Sequence, residues 1–235
     1  DRKIDQNPFL PLSRKRDERA EEMFEIQVCG LSQRLRFIGA RHVVIGISGG
    51  LDSTLALLVA VATFDALGLP RKGIIGVTMP GLGTSSHTKD NALKLMELLG
   101  VTSLTIDITD ACLQHFAAIG HDPKVQDVVY ENAQARERTQ ILMDLANKYN
   151  APVIGTGDLS ELALGWCTYN GDHMSMYSVN AGVPKTAVQI IVSRLAEIEK
   201  FGTELSEVLR AIVDTPISPE LKSTDETGGI AQKTE

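Results

Sequence analysis

The chain has 235 residues, of which 43% are hydrophobic, and a formal net charge of −7 at pH 7. This size and apolar content suit one large α/β domain or two small ones, and no apolar run approaches the roughly 18 residues of a membrane span. The negative balance argues against a general nucleic-acid surface, which needs a basic face. Cys29, Cys112 and Cys167 have no metal-type spacing, so we expect reduced thiols and a cytoplasmic protein.

The two ends of the chain predict segments outside a folded core. Residues 1–16 contain two prolines and are typical of an arm or linker, and residues 223–235 are polar and predict a mobile tail. Residues 17–222 form the predicted domain. Because the chain starts at Asp1 without a leader pattern, we expect an excised or processed fragment.

Apolar runs and helical periodicity alternate along this domain. The runs that predict buried strands are Val43–Ile47, Gly73–Pro80, 103–108 and 151–157. The predicted helices are Asp17–Phe37, a segment ending near Leu67, Ser86–Leu99, Thr109–Ile119, Val125–Tyr149, a segment starting near Asp158, Ala187–Phe201 and Glu204–Val213. Residues 165–184, rich in Gly, Asn and aromatic side chains, predict an ordered loop over a ligand site.

This alternation predicts an α/β fold with a doubly wound, mainly parallel sheet and helices on both faces. Each strand is a continuous apolar run, which is typical of strands buried on both sides. Ligands of such sheets bind beyond the carboxyl ends of the strands. The polar, glycine-rich segments Ser48–Ser53, Pro80–Ser86 and Thr156–Glu161 lie at those ends in the sequence.

The first of these segments, SGGLDS, has the chemistry of a phosphate loop. A strand-to-helix turn presents unpaired backbone N–H groups, and Gly49 and Gly50 allow a phosphate to approach them closely. Neither the lysine of the common triphosphate loop nor the G-x-G-x-x-G pattern is present. Asp52 would repel phosphates unless a cation lies between them, which favours Mg²⁺. The alternative is an ordinary glycine turn with Ser and Asp as helix caps.

The loop SGGLDST resembles the pyrophosphate loop of the N-type ATP pyrophosphatases, which have an adenine nucleotide alpha hydrolase-like, Rossmann-like fold. That superfamily cleaves ATP between its α and β phosphates, and it includes NAD, GMP, asparagine and argininosuccinate synthetases. A second block, Tyr130–Thr186, resembles NAD synthetase and is most similar to the synthetase domain of the glutamine-dependent type. The likeness covers about residues 15–225.

The resemblance implies two co-substrates, ATP and deamido-NAD, and Mg²⁺. The residues it implies for ATP are Gly46, Ser48, Gly49, Gly50, Asp52, Ser53, Thr156 and Lys185. It implies catalytic roles for Asp52, Glu161 and Lys185, and Mg²⁺ binding by Asp52 and Glu161. The alternative for Asp158 and Glu161 is a capped helix start, which we favour for Asp158.

For deamido-NAD the resemblance implies contacts from the long helix and the following loop. The implied residues are Asn132, Arg136, Glu161, Trp166, Thr168 and Tyr169. Independently, Asn132, Arg136 and Gln140 recur every four residues and form one polar stripe. Val128, Ala135, Leu142 and Leu145 on the opposite side are expected in the core, and Arg138 points elsewhere. The alternative for Arg136 is a place on a solvated helix face. The alternative for Trp166 and Tyr169 is a place in the core or in an interface.

The implied reaction forms an adenylated nicotinate and pyrophosphate, and ammonia then displaces AMP to give NAD. Glutamine-dependent relatives obtain the ammonia from a glutaminase domain, which we expect in the full-length protein; free ammonia is the alternative source. The resemblance also implies a homodimer or larger homo-oligomer, with Asp17–Phe37 and Ala187–Val213 as candidate interface helices and core packing as their alternative. The rival functions are another ATP pyrophosphatase, such as GMP synthetase, and a non-catalytic ATP sensor.

Overall fold

The structure, a computed structural model, describes residues 15–82 and 86–215, without the side chains of residues 86–88. The predicted tail and nearly all of the predicted arm lie outside these residues. The helices are α1 Lys15–Ile38, α2 Leu51–Leu67, α3 Ser86–Leu99, α4 Thr109–Ile119, α5 Val128–Tyr149, α6 Leu159–Leu164, α7 Lys185–Glu197 and α8 Thr203–Val213. The strands are β1 Val43–Gly46, β2 Ile74–Thr78, β3 Thr102–Thr105, β4 Ile154–Gly155 and β5 Tyr177–Ser178.

All strand pairs in the described residues are parallel. β2 lies between β1 and β3, and β4 pairs with β5. A parallel bridge between Val44 and Val153 joins the two groups, and Val44 N–H donates to the Pro152 carbonyl at 3.0 Å. The strands therefore follow each other in the order β3, β2, β1, β4, β5. The chain order reverses between β1 and β4, and this is where ligands of doubly wound sheets bind.

Helices cover both faces of the sheet, as predicted. Strand side chains alternate between two hydrophobic clusters: Val43 and Ile45 join the cluster that contains α1, α2, α3, α7 and α8, whereas Val44 joins the cluster of α4 and α5. Helix α2 is buried along most of its length because it packs against α1, α7 and the sheet. The α/β, doubly wound prediction is confirmed.

Several element boundaries differ from the predictions. The long helix begins at Val128 rather than Val125, because Asp127 accepts hydrogen bonds from the N–H groups of Val129 and Tyr130 and caps it. Val128 itself is 65% exposed, so its expected core position is wrong. The strand predicted at 103–108 spans Thr102–Thr105, and the one predicted at 151–157 is reduced to two paired residues.

The loop predicted at 165–184 contains the short strand β5, which sequence patterns missed. Two residues, Tyr177 and Ser178, pair with β4. The helix predicted at Ala187–Phe201 begins two residues earlier and ends at Glu197. No helix in the described part of the chain is long and apolar enough to cross a membrane.

The candidate interface helices pack inside this chain. Helix α1 buries Phe24, Leu31 and Leu35 in the core cluster that also contains α7. Core packing thus accounts for the buried faces of these helices. Their predicted part in an oligomer stays a prediction.

Candidate active site

The turn between β1 and α2 is braced by its own hydroxyl groups. Ser48 Oγ accepts from the Gly50 N–H at 3.1 Å and lies 3.2 Å from Ser53 Oγ. Ser53 and Thr54 donate to the Gly50 carbonyl at 3.0 and 2.8 Å. Gly49 has φ +88°, a conformation that favours glycine. This bracing fixes the turn before any ligand binds.

The start of α2 has no side-chain cap. Gly50 occupies the N-cap position and, having no side chain, makes no side-chain cap hydrogen bond. The alternative in which Ser and Asp serve as helix caps is therefore wrong. A helix start without a cap presents N–H groups and a positive dipole, the features that bind phosphate.

Gly46, a predicted ATP residue, is placed by packing. A Cβ at this position would lie 3.1 Å from Leu142 Cδ1 of α5. The missing side chain thus lets α5 approach the end of β1. This contact explains the glycine without a ligand, and its predicted contact with ATP stays a prediction.

Three carboxylates and one lysine meet where β1 and β4 end. Asp52 lies in the first turn of α2, Asp158 and Glu161 lie at the start of α6, and Lys185 begins α7. Lys185 Nζ donates to Asp52 Oδ2 and lies 3.4 Å from Asp158 Oδ2 and 3.7 Å from Glu161 Oε1. One oxygen of each carboxylate lies within 4.8 Å of the other two. We call Asp52, Asp158 and Glu161 the acid cluster.

Asp158 has two functions in this arrangement, although the sequence favoured only the first. Its Oδ1 accepts from the Glu161 N–H at 2.9 Å, and Glu161 Oε2 accepts from the Asp158 N–H at 3.0 Å, which forms a capping box. Its Oδ2 faces Lys185, and the side chain is fully buried. The sequence signal for the cap was clear, but nothing in it reported the burial of the second oxygen.

Burial and mutual repulsion perturb the ionisation of the cluster. Burial, followed by the charge of Asp52, raises the pKa of Glu161 to about 7. Burial also raises the pKa of Asp52, although the adjacent Lys185 acts in the opposite direction. Burial alone would lower the pKa of Lys185, but Asp52, Glu161 and Asp158 outweigh it and the pKa is raised. The lysine therefore stays protonated and offsets part of the negative charge.

The cluster has the chemistry of a divalent-cation site. Asp52 Oδ1 and Asp158 Oδ2 are buried and have no hydrogen-bond partner among the described residues. Buried carboxylate oxygens without partners are costly, and a cation bound between them removes this cost. Carboxylate oxygens beside a phosphate loop are the ligand set that Mg²⁺ prefers. The residues present thus fit Mg²⁺, with Asp158 added to the predicted pair.

The loop after β4 is tied to the first loop by a residue that sequence reasoning missed. Asn180 is fully buried, and its Nδ2 donates to the carbonyls of Thr156 and Asp52 at 2.9 and 3.0 Å. Thr156, a predicted ATP residue, is thereby held beside the first loop. Asn180 lies in a segment without periodicity, so no sequence signal identified it.

A second group of predicted residues joins α5 to the loop after α6. Thr168 Oγ1 donates to Asn132 Oδ1 at 2.8 Å, and Arg136 Nε donates to the Tyr169 carbonyl at 3.1 Å. Trp166 is 62% and Tyr169 84% exposed, so neither ring belongs to the core. Helix α6 links this group to the acid cluster, because Glu161 lies within the helix and its carbonyl accepts from the Trp166 N–H at 2.8 Å.

An open cavity adjoins this second group. It has a volume of about 530 Å³ and lies between α4, α5 and Asn170. Arg136 and Gln140, two members of the predicted polar stripe, line it. Arg138 lies outside its lining and donates from Nε to the Met79 carbonyl at 3.0 Å, at the end of β2. The expectation that Arg138 points elsewhere is confirmed.

His173 and Cys167 also lie in the loop after α6, and we assign neither of them a catalytic role. His173 Nδ1 lies 2.9 Å from the Thr168 carbonyl and holds the loop. Cys167 is half-buried, and burial raises the pKa of its thiol, so it is a poor nucleophile.

Comparisons with known proteins point to one family. A model described as NAD synthase matches residues 23–225. The glutamine-dependent NAD(+) synthetase of Mycobacterium tuberculosis is 48% identical over 231 residues, which cover 96% of this chain and 34% of the relative. This chain thus spans about a third of the length of that relative.

Two solved structures resemble the fold. The glutamine-dependent NAD+ synthetase of Acinetobacter baumannii, in complex with ADP, has a TM-score of 0.75 at 25% identity, over 91% of this chain and 38% of that chain. The NMN synthetase of Francisella tularensis has a TM-score of 0.72 at 29% identity, over 88% of this chain and 80% of that chain.

Proposed function

The chain belongs to the NAD synthase family, and we propose that it converts deamido-NAD to NAD with ATP and ammonia, releasing AMP and pyrophosphate. The observation that carries the proposal is the acid cluster with Lys185 beside an uncapped, glycine-rich helix start. This arrangement offers a place for an anionic leaving group and for the cation that accompanies it. Holding ATP in a sensor would not need three carboxylates at that position, because carboxylates repel phosphates.

In the first step, a carboxylate oxygen of the nicotinate forms a bond to the α-phosphorus of ATP. The bond from that phosphorus to the bridging oxygen breaks, and pyrophosphate leaves. We assign the departing pyrophosphate to the loop Ser48–Ser53 and the start of α2, because the uncapped helix start offers N–H groups and the loop offers hydroxyl groups. Thr156 and Gly46 border the adenylate.

Lys185 can pair with the phosphate oxygens of ATP as well as with the acid cluster. In the structure it offsets part of the negative charge of the acid cluster, and 26% of its side chain is exposed. Mg²⁺ held by Asp52 and Glu161, with Asp158, would supply positive charge that lowers the repulsion between the two anionic substrates. Lys185 would then donate to phosphate oxygens instead of carboxylates.

Deamido-NAD would bind along α5 and the loop after α6. Arg136 is exposed and lines the cavity, so its terminal guanidinium N–H groups can pair with a phosphate of the dinucleotide. Asn132 and Thr168 hold each other and offer polar groups to ribose hydroxyls. The exposed rings of Trp166 and Tyr169 can stack on nicotinate, which brings its carboxylate toward Glu161.

In the second step, ammonia attacks the carbonyl carbon of the adenylate, AMP leaves, and one proton is lost from nitrogen. Because the Mycobacterium tuberculosis relative is glutamine-dependent, we propose that a glutaminase domain supplies ammonia in the full-length protein. Free ammonium should serve this chain. A homodimer or larger homo-oligomer and a cytoplasmic location belong to the same proposal.

The test compares substrates. Purified protein is incubated with ATP, Mg²⁺, ammonium and either deamido-NAD, nicotinate mononucleotide, a GMP synthetase substrate or no acceptor, and AMP, pyrophosphate and the amidated product are measured. We expect AMP, pyrophosphate and NAD in equal amounts with deamido-NAD. Preference for nicotinate mononucleotide would favour the reaction in the name of the Francisella tularensis structure. Pyrophosphate release without an acceptor would contradict the proposal.

A further inference from the structure

Two buried amide side chains lie behind the acid cluster and take no part in the reaction proposed above. Asn180, between β5 and α7, is fully buried, and Gln27 of α1 is 8% exposed. Buried amides are costly unless their hydrogen-bonding groups are satisfied. Their contacts show what these two amides hold in place.

Asn180 uses both of its amide N–H groups on the two nucleotide loops. Nδ2 donates to the carbonyl of Asp52, in the first turn of α2, and to the carbonyl of Thr156, after β4. A primary amide has two N–H donors, so none remains for another partner. One side chain thus fixes the distance between the loop that carries Asp52 and the loop that carries Thr156.

Gln27 determines which way the Asn180 amide faces. Gln27 Nε2 donates to Asn180 Oδ1 at 3.0 Å and to the Val179 carbonyl at 2.9 Å. These bonds direct the oxygen of Asn180 toward α1 and its nitrogen toward the loops. Gln27 Oε1 is buried without a hydrogen-bond partner among the described residues. The opposite amide orientation would place Oε1 against two acceptors, so Gln27 keeps this orientation despite the unpaired oxygen.

Resting on the proposed function, we propose that Asn180 is a positioning residue for ATP and that Gln27 sets the orientation of its amide. Asn180 touches neither substrate in this assignment. It acts through Asp52 and Thr156, whose relative position determines whether phosphates and cation meet in reactive geometry. A displacement of about 1 Å in such a site can reduce the rate about 100-fold.

The test uses three variants and one control. Asn180→Asp keeps the shape but turns a carboxylate oxygen toward two carbonyls. Gln27→Glu offers the Asn180 amide a competing acceptor and should rotate its nitrogen away from the loops, whereas Gln27→Met only removes the donor. The control Thr63→Val removes a buried hydroxyl that donates to the Val28 carbonyl at 3.4 Å, next to Gln27 but away from the loops.

The readouts are Mg²⁺-ATP affinity by calorimetry without deamido-NAD, and kcat and both KM values. We expect ATP affinity to fall about tenfold or more for Asn180→Asp and Gln27→Glu, less for Gln27→Met, and not for Thr63→Val. The KM for deamido-NAD should stay unchanged, because the side-chain hydrogen bonds of Asn180 within the described residues go to Gln27, Asp52 and Thr156 and not to the predicted deamido-NAD residues. A general loss of stability would not change the KM for ATP while leaving the KM for deamido-NAD unchanged.

Two results would overturn the inference. One is an equal ATP affinity of Gln27→Glu and Gln27→Met. This comparison tests the inference even if Asn180→Asp fails to fold. The other is a parallel rise in both KM values. Because ATP affinity is measured without the acceptor, wild-type protein that binds ATP but makes no NAD would refute the proposed function and leave this comparison intact.

Discussion

Replacing Lys185 by Met should destabilise the protein without its ligands and make it dependent on a divalent cation. Lys185 is the only cation that pairs with the acid cluster among the described residues. Methionine keeps the length and apolar stem of the side chain but removes the charge. The acid cluster then repels itself, and its two unpaired buried oxygens remain without a positive neighbour.

The magnitude follows from distance and exposure. At an effective dielectric constant of about 20, the attraction across the 3.4 Å between Lys185 Nζ and Asp158 Oδ2 is about 5 kcal/mol. Desolvation offsets part of it, and removing one partner of a buried pair costs about 3–5 kcal/mol. Lys185 is 26% and Glu161 36% exposed, and solvent screening lowers the expected loss to about 2 kcal/mol. For a chain of this size, Tm falls by about 4–8 °C.

The assay is thermal unfolding in chelator and again with Mg²⁺. The control Lys200→Met breaks a surface pair with Glu25, which is 61% exposed, and should cost less than about 1 kcal/mol. Mg²⁺ should raise Tm more in Lys185→Met than in the wild type, because it replaces the lost charge. An unchanged Tm in chelator, or an equal response to Mg²⁺, would refute the electrostatic reasoning.

The loss of stability in Lys185→Met should also depend on pH. The raised pKa of Glu161, about 7, means that the folded protein takes up a proton more readily than the unfolded chain. The stability from this protonation is present at low pH and is lost as pH rises through the folded pKa. The deficit of Lys185→Met should therefore shrink between about pH 8 and about pH 6. A deficit that grows on acidification would contradict this sign.

Three further predictions concern single residues. Asp158→Asn keeps the oxygen that caps α6 but removes the buried charge, so the Mg²⁺ concentration for half-maximal activity should rise severalfold; an unchanged requirement would exclude Asp158 as a ligand. Gly73→Ala should lower the free energy of unfolding in urea by about 1–3 kcal/mol, because the new Cβ would lie 2.5 Å from the Arg41 carbonyl oxygen. In the control Gly46→Ala the new Cβ would lie 3.1 Å from a side-chain methyl, so the loss should be less than about 1 kcal/mol. Equal losses in the two variants would contradict this reasoning. Arg136→Ala should raise the KM for deamido-NAD about tenfold or more and leave the KM for ATP and the Tm unchanged. A similar rise in both KM values would contradict the assignment of Arg136 to the deamido-NAD site.

The fold was predictable because local signals agreed with tertiary structure. The continuous apolar runs identified the central strands, and helices α2 and α4 each end at a glycine, Gly68 and Gly120, in the left-handed conformation. Strand β5 was not predictable, since two residues are defined as a strand only by pairing with β4. The exposure of Val128 was also not predictable, because hydrophobic periodicity does not show which end of a helix extends beyond the core.

The candidate site was predictable where a motif carries its own chemistry. SGGLDS indicated a phosphate loop, and the resemblance identified Glu161 and Lys185, which the fold brings to Asp52. Sequence could not show that the second oxygen of Asp158 is buried against Lys185. Nor could it identify Asn180, which is 128 residues from Asp52 and makes its contacts only after the sheet has formed.

The most direct test of the central claim follows the carboxylate oxygen of the substrate. Deamido-NAD with both nicotinate carboxylate oxygens replaced by a heavy isotope is converted with ATP, Mg²⁺ and ammonium, and the products are analysed by mass spectrometry. Attack on the α-phosphorus predicts one heavy oxygen in AMP, one in the amide of NAD and none in pyrophosphate. Heavy oxygen in inorganic phosphate, with ADP as the nucleotide product, would show attack on the γ-phosphorus and contradict the account.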